Sequence, residues 1–271
     1  MCKPDQSLRK PRLADLGDDL LELTLWQQVR AILLPLGSFA AYWPLAYSGH
    51  WVLAVLSLMV LSFTTYGSTS HDLVHRNLGL PPWLNQLLLS IVEVLALRSG
   101  HAYQAAHLHH HARYPHSDDI EADASRMTFL RALWEGVIFQ ARICKWAWKH
   151  APGQRRWIAI EGAVVTCSVV ASLLATEFTL IPFAYVVLMV AGSWIIPLIT
   201  SYLPHDAHGD SEIEQTRRYR GTLIRLLSFD HLYHLEHHMY PAVPHVKWRI
   251  LAGRLDPWLD KAGVQSIRLW F

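Results

Sequence analysis

Three clusters of histidine have spacings that suit metal binding. On an α-helix, residues at positions i, i+3 and i+4 share one face, so each cluster can direct two or three imidazoles at one point. Neutral imidazole is a common ligand of iron, zinc, copper and nickel. The predicted ligands are His71 and His75 in the first cluster, His107, His110 and His111 in the second, and His234, His237 and His238 in the third.

Other histidines extend this set. His205 directly follows the fourth long apolar stretch and raises the number of predicted ligands to nine. One metal ion cannot use nine ligands, so the count predicts two ions that share them. His231 lies one turn before His234 and is an additional candidate ligand, whereas His109 lies off the shared face of its cluster. The isolated histidines are predicted to be ordinary core residues: His50, His101, His116, His150 and His245.

Acidic side chains near the clusters could accept the second imidazole N–H of a ligand and fix the orientation of its ring. Seven acids are close enough in sequence: Asp72, Asp118, Asp119, Glu121, Asp206, Asp230 and Glu236. The predicted orienting set is Asp72, Asp206, Asp230 and Glu236, with Glu236 favoured because it lies inside the third cluster. Solvation or an ordinary ion pair is the alternative for each acid. Ligation by imidazole alone favours redox-active iron open to O2, although spacing leaves zinc open.

The elements that must carry these clusters include four long apolar stretches. Hydrophobic residues make up 52% of the 271 positions and charged residues only 17%, which is apolar for a soluble domain. The 12 Trp residues are of a type enriched at membrane surfaces. Residues 31–47, 51–66, 157–175 and 178–203 each approach the roughly 20 apolar residues that cross a bilayer. They predict four transmembrane helices.

Short connections at 48–50 and 176–177 join these helices into two hairpins. All 24 Lys and Arg residues lie outside the spans and outside both hairpin tips. The positive-inside rule therefore predicts that both termini and all the histidine clusters are cytoplasmic. The alternative is a soluble all-α protein with buried hairpins. In such a protein there is no physical reason for Lys and Arg to be absent from both hairpin tips. Residues 84–97 are too short to span comfortably, so they predict an interfacial or partly inserted helix. Residues 128–150 predict either an interfacial helix or an ordinary amphipathic helix packed against the cytoplasmic domain.

The predicted fold is an all-α membrane protein: four transmembrane helices in two hairpins, with a cytoplasmic helical cap that carries the histidine clusters. Residues 1–271 are predicted to form a single domain in which residues 1–24 are a mobile cytoplasmic tail. The net charge of +2 gives no indication of a nucleic-acid partner. Three widely separated cysteines indicate neither a disulfide framework nor a thiolate metal site.

The clusters, in this order, resemble the histidine boxes of the membrane fatty-acid desaturase superfamily. That group includes acyl desaturases, lipid hydroxylases, and carotenoid ring hydroxylases and ketolases. Its pattern is H-x3/4-H, then H-x2/3-HH, then H/Q-x2/3-HH, with four spans and a cytoplasmic di-iron site. The resemblance covers about residues 30 to 250. In acyl-CoA desaturases an Asn-x3-His motif follows the fourth span; here Ser201 stands at the Asn position and His205 at the His position.

The resemblance implies an O2-dependent oxidoreductase that holds two iron ions and desaturates or hydroxylates a lipid C–H site. A fatty acyl chain is the favoured substrate, and a carotenoid ring is the alternative within the superfamily. Lipid is expected to enter from the bilayer. Electrons are expected from a separate ferredoxin or cytochrome b5-type donor, since the sequence has no His-Pro-Gly-Gly motif of a fused cytochrome b5. Arg217, Arg218 and Arg220 are predicted to face an acidic donor or anionic lipid head groups.

A membrane metal transporter or metal-binding protein is the hypothesis from another class. Such a protein needs polar ligands midway through its spans. Here only Glu161 and Glu93 come near that position, and the histidine clusters lie at span ends and beyond. The arrangement therefore favours an enzyme.

Overall fold

The structure is a computed structural model in which residues 9–221 and 231–268 are described. Its regular structure is almost entirely helical, which confirms the predicted all-α class. The first seven helices are α1 Leu13–Leu16, α2 Leu25–Tyr47, α3 Trp51–Thr64, α4 Ser70–His75, α5 Pro82–Leu95, α6 Gly100–Arg113 and α7 Phe129–His150. The rest are α8 Arg155–Leu174, α9 Ile181–Ser193, α10 Glu212–Gln215, α11 His234–Met239 and α12 Trp248–Lys261. Within the described ranges, strands β1 (Arg218–Arg220) and β2 (Ser266–Arg268) pair in parallel.

Within these residues, four helical segments are long and apolar enough to cross a membrane. They are Asp18–Tyr47, Trp51–His75, Pro152–Glu177 and Ile181–Tyr202, which confirms the four predicted spans. Large apolar side chains such as Val52, Leu174 and Val190 are exposed on them, as expected of a surface that faces lipid. The spans form two hairpins, because residues 48–50 connect the first two and a turn at residues 175–180 connects the others.

The second and fourth spans both end in a widened, π-helical turn. These turns are Thr65–Thr69, directly before α4, and Leu198–Tyr202, directly before His205. The Thr65 hydroxyl donates to the Leu61 carbonyl (2.8 Å) and the Thr200 hydroxyl donates to the Ile196 carbonyl (2.9 Å). Such turns shift the helix register locally and are frequent at functional sites. Both lead into predicted metal ligands, at the end of the bundle opposite the hairpin tips.

Two further helices support that end of the bundle. The short apolar helix α5 buries Glu93, whose Oε2 lies 2.8 Å from Nε of buried Arg98, so this charge is not exposed to lipid. In α7, one face packs on the protein through Phe139 and Ile143, whereas Leu130 and Trp134 are exposed. The amphipathic character expected of residues 128–150 is therefore present.

The N-terminal segment departs from expectation. The prediction of a mobile tail over residues 1–24 is wrong for residues 9–24, because these residues pack against the C-terminal helix α12. Leu20 is fully buried in a cluster with Trp248, and the Trp258 Nε1–H donates to the Arg9 carbonyl (3.1 Å). The Tyr240 hydroxyl, just after the third histidine cluster, donates to the Pro11 carbonyl (2.6 Å). Leucines among the charges of this segment bury enough apolar surface to order it.

Candidate metal centre

The structure brings all nine predicted ligands into two adjacent groups. In each group, one ring nitrogen per residue lies within 4.8 Å of the others. Site A consists of His71, His75, His107, His111 and His237, and site B consists of His110, His205, His234 and His238. The sites touch, since the rings of His111 and His238 stack with their centroids 4.6 Å apart. Ligation by these nine side chains stays a prediction, but the convergence that it requires is present.

Helical periodicity explains how two clusters serve both sites. In α6, His107 and His111 are four residues apart and face site A, whereas His110 faces site B. In α11 the assignment is reversed, because His234 and His238 face site B and His237 faces site A. An i, i+4 pair lies on one stripe of a helix, and the residue between them is rotated toward the neighbouring stripe. Two short helices can therefore divide their imidazoles between two ions.

The nitrogen spacings suit a shared ion. In site A, Nε2 of His237 lies 3.0 Å from Nε2 of His71 and 2.7 Å from Nε2 of His111. In site B, Nε2 of His238 lies 3.1 Å from Nε2 of His205 and of His234. An imidazole nitrogen lies about 2.1 Å from a bound divalent metal, so two ligands at a right angle are about 3 Å apart. The observed distances are of that size.

The protonation state also suits a metal. Burial, together with the neighbouring imidazoles, lowers the pKa of His111, His234, His237 and His238 well below the usual value. These rings are therefore neutral at pH 7, and neutral imidazole is the form that binds metals. For His110, burial is the largest influence and lowers the pKa, but the hydrogen bond and the charge of Asp119, together with the charge of Glu121, outweigh it and raise the pKa.

Three hydrogen bonds to the far ring nitrogen orient ligands of the second cluster and His205. Nδ1 of His110 lies 2.6 Å from Oδ2 of Asp119, and Nδ1 of His107 lies 3.0 Å from Oε2 of Glu121. Nδ1 of His205 lies 3.0 Å from the carbonyl oxygen of Ser201, the residue at the family's Asn position. Contacts of this kind fix which nitrogen faces the metal. Asp119 and Glu121 were among the acids near enough in sequence, but the prediction did not select them.

The predicted orienting acids have other partners. Asp72 accepts from the backbone N–H of His245 (2.9 Å), and its Oδ2 lies 2.6 Å from Nδ1 of that ring. Glu236, the favoured acid, is fully buried and pairs with Arg220 (2.6 Å). Both predictions are wrong because an acid next to a ligand in a helix points about 100° away from it.

A third member of that set, Asp206, has its contact away from both sites. Asp206 accepts from the backbone N–H of His208 (3.0 Å), so the prediction that it orients an imidazole is wrong. Asp206 lies in the turn after His205 and caps that turn instead. Asp230 lies outside the described residues.

Packing orients the ligands that have no such acid. Nδ1 of His71 and of His237 is buried without a hydrogen-bond partner in the described part of the chain. The indole of fully buried Trp248 lies against both rings, with centroids 5.2 Å from His71 and 5.0 Å from His237. The Trp248 Nε1–H donates to the Val243 carbonyl (2.9 Å), which fixes the indole. Nothing in the sequence singles out this tryptophan among the 12.

The remaining histidines lie outside both groups. His231 is buried beside His234, with ring centroids 5.1 Å apart, but it is not a member of site B. His109 packs against Trp146 with their ring planes tilted by 50°, and it faces Asp118, as its position off the ligand face predicts. Nδ1 of buried His101 lies 2.7 Å from Oε1 of buried Glu161, an ordinary core pair.

The arginines that were predicted to face an electron donor or lipid head groups are bound within the protein. Arg218 is buried and pairs with Asp256 and Asp260 at 2.7 and 2.6 Å. Arg220 pairs with Glu236, and Arg217 donates to the backbone carbonyls that end the fourth span. Strand β1 turns Arg218 and Arg220 toward α12 and α11, so the prediction is wrong for these two. Arg217 precedes the strand and is bound at the end of the fourth span.

A family model described as fatty acid desaturase matches residues 48–270. The chain belongs to the fatty acid desaturase family. That family comprises oxidoreductases of the desaturase and hydroxylase type, and the matched range includes both imidazole groups and three of the four spans. No curated protein matches the chain. Membership agrees with a membrane protein whose histidine clusters can hold metal, and it leaves the substrate and the metal to be identified.

Proposed function

We propose that this protein is a membrane-bound di-iron oxidoreductase that uses O2 to desaturate or hydroxylate a C–H site of a lipid, with a fatty acyl chain as the favoured substrate. The single observation that carries the proposal is the pair of touching imidazole groups, which together contain nine histidine side chains. The five imidazole nitrogens of site A and the four of site B are too many for one ion and suit two. When bound, a pair of irons supplies the activation of O2 that no side chain can provide.

The chain's own residues hold the site in shape. Buried imidazoles from the ends of two spans, from α6 and from α11 converge, so the fold must be assembled before both groups exist. Asp119 and Glu121 fix two rings of α6 through their Nδ1 atoms. Burial also excludes bulk water, which protects a reactive centre. No side-chain base is required, since neither desaturation nor hydroxylation of an unactivated carbon begins with proton removal.

An apolar cavity next to the imidazoles supports a hydrocarbon substrate. It lies between the two π-helical turns, has a volume of ≈ 30 Å³, and is lined by Phe63, Ile196, Ile199 and Tyr66 together with His231. The volume is too small for an acyl chain as it stands, so substrate binding requires these walls to move apart. Both walls are widened turns at span ends, where helix packing is irregular.

Two buried carboxylates argue against a metal transporter. Glu161 receives hydrogen bonds from the Ser99 hydroxyl (2.6 Å) and the backbone N–H of His101 (3.2 Å). Glu93 is engaged by Arg98. The membrane acids that could have formed a transport site are therefore bonded within the protein, and the imidazoles lie at the end of the bundle rather than midway along it.

The proposal also states on which side of the membrane the imidazoles lie and which kind of protein donates electrons to them. With every Lys and Arg outside the hairpin tips, the end of the bundle that holds the imidazoles is assigned to the cytoplasm. A separate ferredoxin or cytochrome b5-type donor would then reach the site from that side, and the lipid would enter from the bilayer.

The proposal is tested on the purified full-length protein. The expected results are about two iron ions per chain and O2 uptake that depends on a ferredoxin or cytochrome b5-type donor system. Comparison of the lipids of cells with and without the gene would identify the product, and a changed carotenoid profile with unchanged acyl chains would replace the acyl assignment. Metal flux in vesicles without O2 uptake would refute the enzyme.

One pair of variants tests the ligand assignment. His110→Ala is expected to abolish O2 uptake and to lower bound iron while the protein stays in the membrane, because it removes a ligand of site B. His109→Ala is the matched control, since His109 lies beside it in α6 but outside both groups. Full activity of His110→Ala, or an equal loss in both variants, would contradict the assignment.

A further inference from the structure

A second pocket lies at the start of the first span, on the other side of the Thr65–Thr69 turn from the apolar cavity. It has a volume of ≈ 280 Å³ and its lining includes Gln27, Arg30, Leu34, Ser68, Thr69 and His245. Three elements form it: the first three turns of α2, the π-helical turn, and the 3-10 turn that precedes α12. It contains none of the nine imidazoles of the metal centre.

The depth of this pocket matches the head-group region of a bilayer. Helix α2 has 23 residues, which corresponds to about 34 Å at 1.5 Å per residue. The hydrocarbon core of a bilayer is about 30 Å thick, so the first residues of α2 lie at the interface when the helix spans it. Gln27 and Arg30 are the third and sixth residues of α2.

The polar lining suits an anion. Among the described lining residues there is no carboxylate, whereas Arg30 is exposed and has no ion-pair partner within the described ranges. Gln27 presents donors for a local reason: its Oε1 accepts from the backbone N–H of Thr24 (2.9 Å) in the cap of α2. The amide NH2 of Gln27 therefore points away from that cap. The ring of His245 is held at the opposite wall by its contact with Asp72.

The lining also changes polarity along the helix. Gln27, Arg30 and Leu34 lie on one stripe of α2, at positions i, i+3 and i+7. The stripe is polar at the interface and apolar one turn deeper, where Leu34 faces the pocket. The hydroxyls of Ser68 and Thr69 donate to the backbone carbonyls of Thr64 and Ala31, so they add no free donor. Charge and donors are therefore concentrated at head-group depth.

We propose that this pocket binds the phosphate of a membrane phospholipid, with Arg30 and Gln27 as its donors and with the acyl chains descending along Leu34. A guanidinium offers several N–H donors in a fork that matches phosphate oxygens. The pocket is separate from the metal centre, so the proposal does not depend on the reaction catalysed there. Free phosphate would accept hydrogen bonds from the same donors but would make no contact with the apolar end of the pocket at Leu34.

The test is binding of phosphatidylglycerol to the detergent-solubilised full-length protein, followed by native mass spectrometry. Parallel titrations use a diacylglycerol with the same acyl chains and inorganic phosphate. The wild type is expected to bind phosphatidylglycerol more tightly than either. Arg30→Gln is expected to raise the Kd for phosphatidylglycerol about tenfold, the size of a lost charge-assisted hydrogen bond. Arg30→Lys should retain most of the affinity.

Arg156→Gln is the matched control, because Arg156 is also exposed at the start of a span but lies outside the pocket. Equal weakening in Arg30→Gln and Arg156→Gln would show general attraction to anionic lipid and would overturn the site. If diacylglycerol binds as tightly as phosphatidylglycerol, the phosphate has no role in binding. If inorganic phosphate binds as tightly as phosphatidylglycerol, the ligand is not a lipid. An unchanged monodisperse fraction of detergent-solubilised Arg30→Gln shows that a loss of binding does not arise from misfolding.

Discussion

Two histidines of the second cluster, His107 and His110, contact acids that lie beyond the end of α6. Asp119 and Glu121 lie nine and 14 positions beyond the rings that they contact. The turn after α6 returns the chain so that both carboxylates face the helix they have just left. Glu121 also accepts from the hydroxyl of buried Tyr66 (3.0 Å), which links the ring of His107 to the end of the second span. The orientation of these two imidazoles therefore depends on contacts between segments that meet only in the folded protein.

Asp119→Asn is expected to weaken metal binding by about ten- to a hundredfold, because the substituted amide no longer holds Nδ1 of His110 as a charged acceptor. The measurement is iron retained per chain after dialysis against a graded series of chelator concentrations. Asp118→Asn is the matched control, since Asp118 is half exposed and pairs with Arg113 at the surface. If the two variants retain iron equally, Asp119 does not support the site.

The sequence was sufficient to select the nine histidines that converge, and insufficient to select the side chains that orient them. Spacing within each cluster is a local helical property, so all nine histidines could be selected before their convergence was known. The choice of Glu236 failed because proximity in sequence says little about the direction of a side chain; Glu236 faces Arg220 instead. Trp248 could not be selected at all, since its contact with His71 joins residues far apart in the chain.

Among the helices, too, local features could be predicted from the sequence, whereas features that depend on tertiary contacts could not. Apolar length predicted the four spans, but the widened turns at Thr65–Thr69 and Leu198–Tyr202 leave no mark in hydropathy. These turns place the first cluster and His205 where both spans end. The N-terminal segment was misjudged because it is short and charged, and its few leucines acquire a partner only when α12 is present.

Close packing of α7 against the fourth span positions the segment that leads to His205. A Cβ added at Gly136 would lie 1.8 Å from the carbonyl oxygen of Trp194 and 2.5 Å from its carbonyl carbon. These are backbone atoms, so they can yield only if α7 and the span separate. The contact lies at the break in the fourth span, four residues before the turn Leu198–Tyr202.

Gly136→Ala is therefore expected to destabilise the protein by about 1–3 kcal/mol, as overpacking usually does. The measurement is the temperature at which half of the detergent-solubilised protein is lost from the monodisperse fraction. Gly162→Ala, in α8, is the control, because an added Cβ there meets no atom within 4 Å. A decrease for Gly162→Ala as large as that for Gly136→Ala would show that the close contact is not the cause.

At the scale of the whole molecule, polar and charged groups are gathered at one end of an apolar bundle. Both imidazole groups lie at the end of the bundle opposite the hairpin tips, and the buried carboxylates of Glu93 and Glu161 are paired with Arg98 and His101. A charge in the middle of a bilayer is costly, and a buried charge is tolerated when it is paired. The hairpin tips, at the other end, hold only short connections.

This polarity predicts the orientation of the protein in the membrane. After the three native cysteines are replaced, single cysteines introduced as Ser48→Cys and Thr176→Cys lie at the two hairpin tips, and Gly153→Cys lies at the opposite end, before the third span. A membrane-impermeant maleimide added to intact cells is expected to label the tips, whereas Gly153→Cys should react only after permeabilisation. The physical reason is that the 24 basic residues, all outside the tips, are retained on the cytoplasmic side. Labelling of Gly153→Cys alone in intact cells would place the metal centre outside the cell and would also remove the cytoplasmic electron donor from the proposed function.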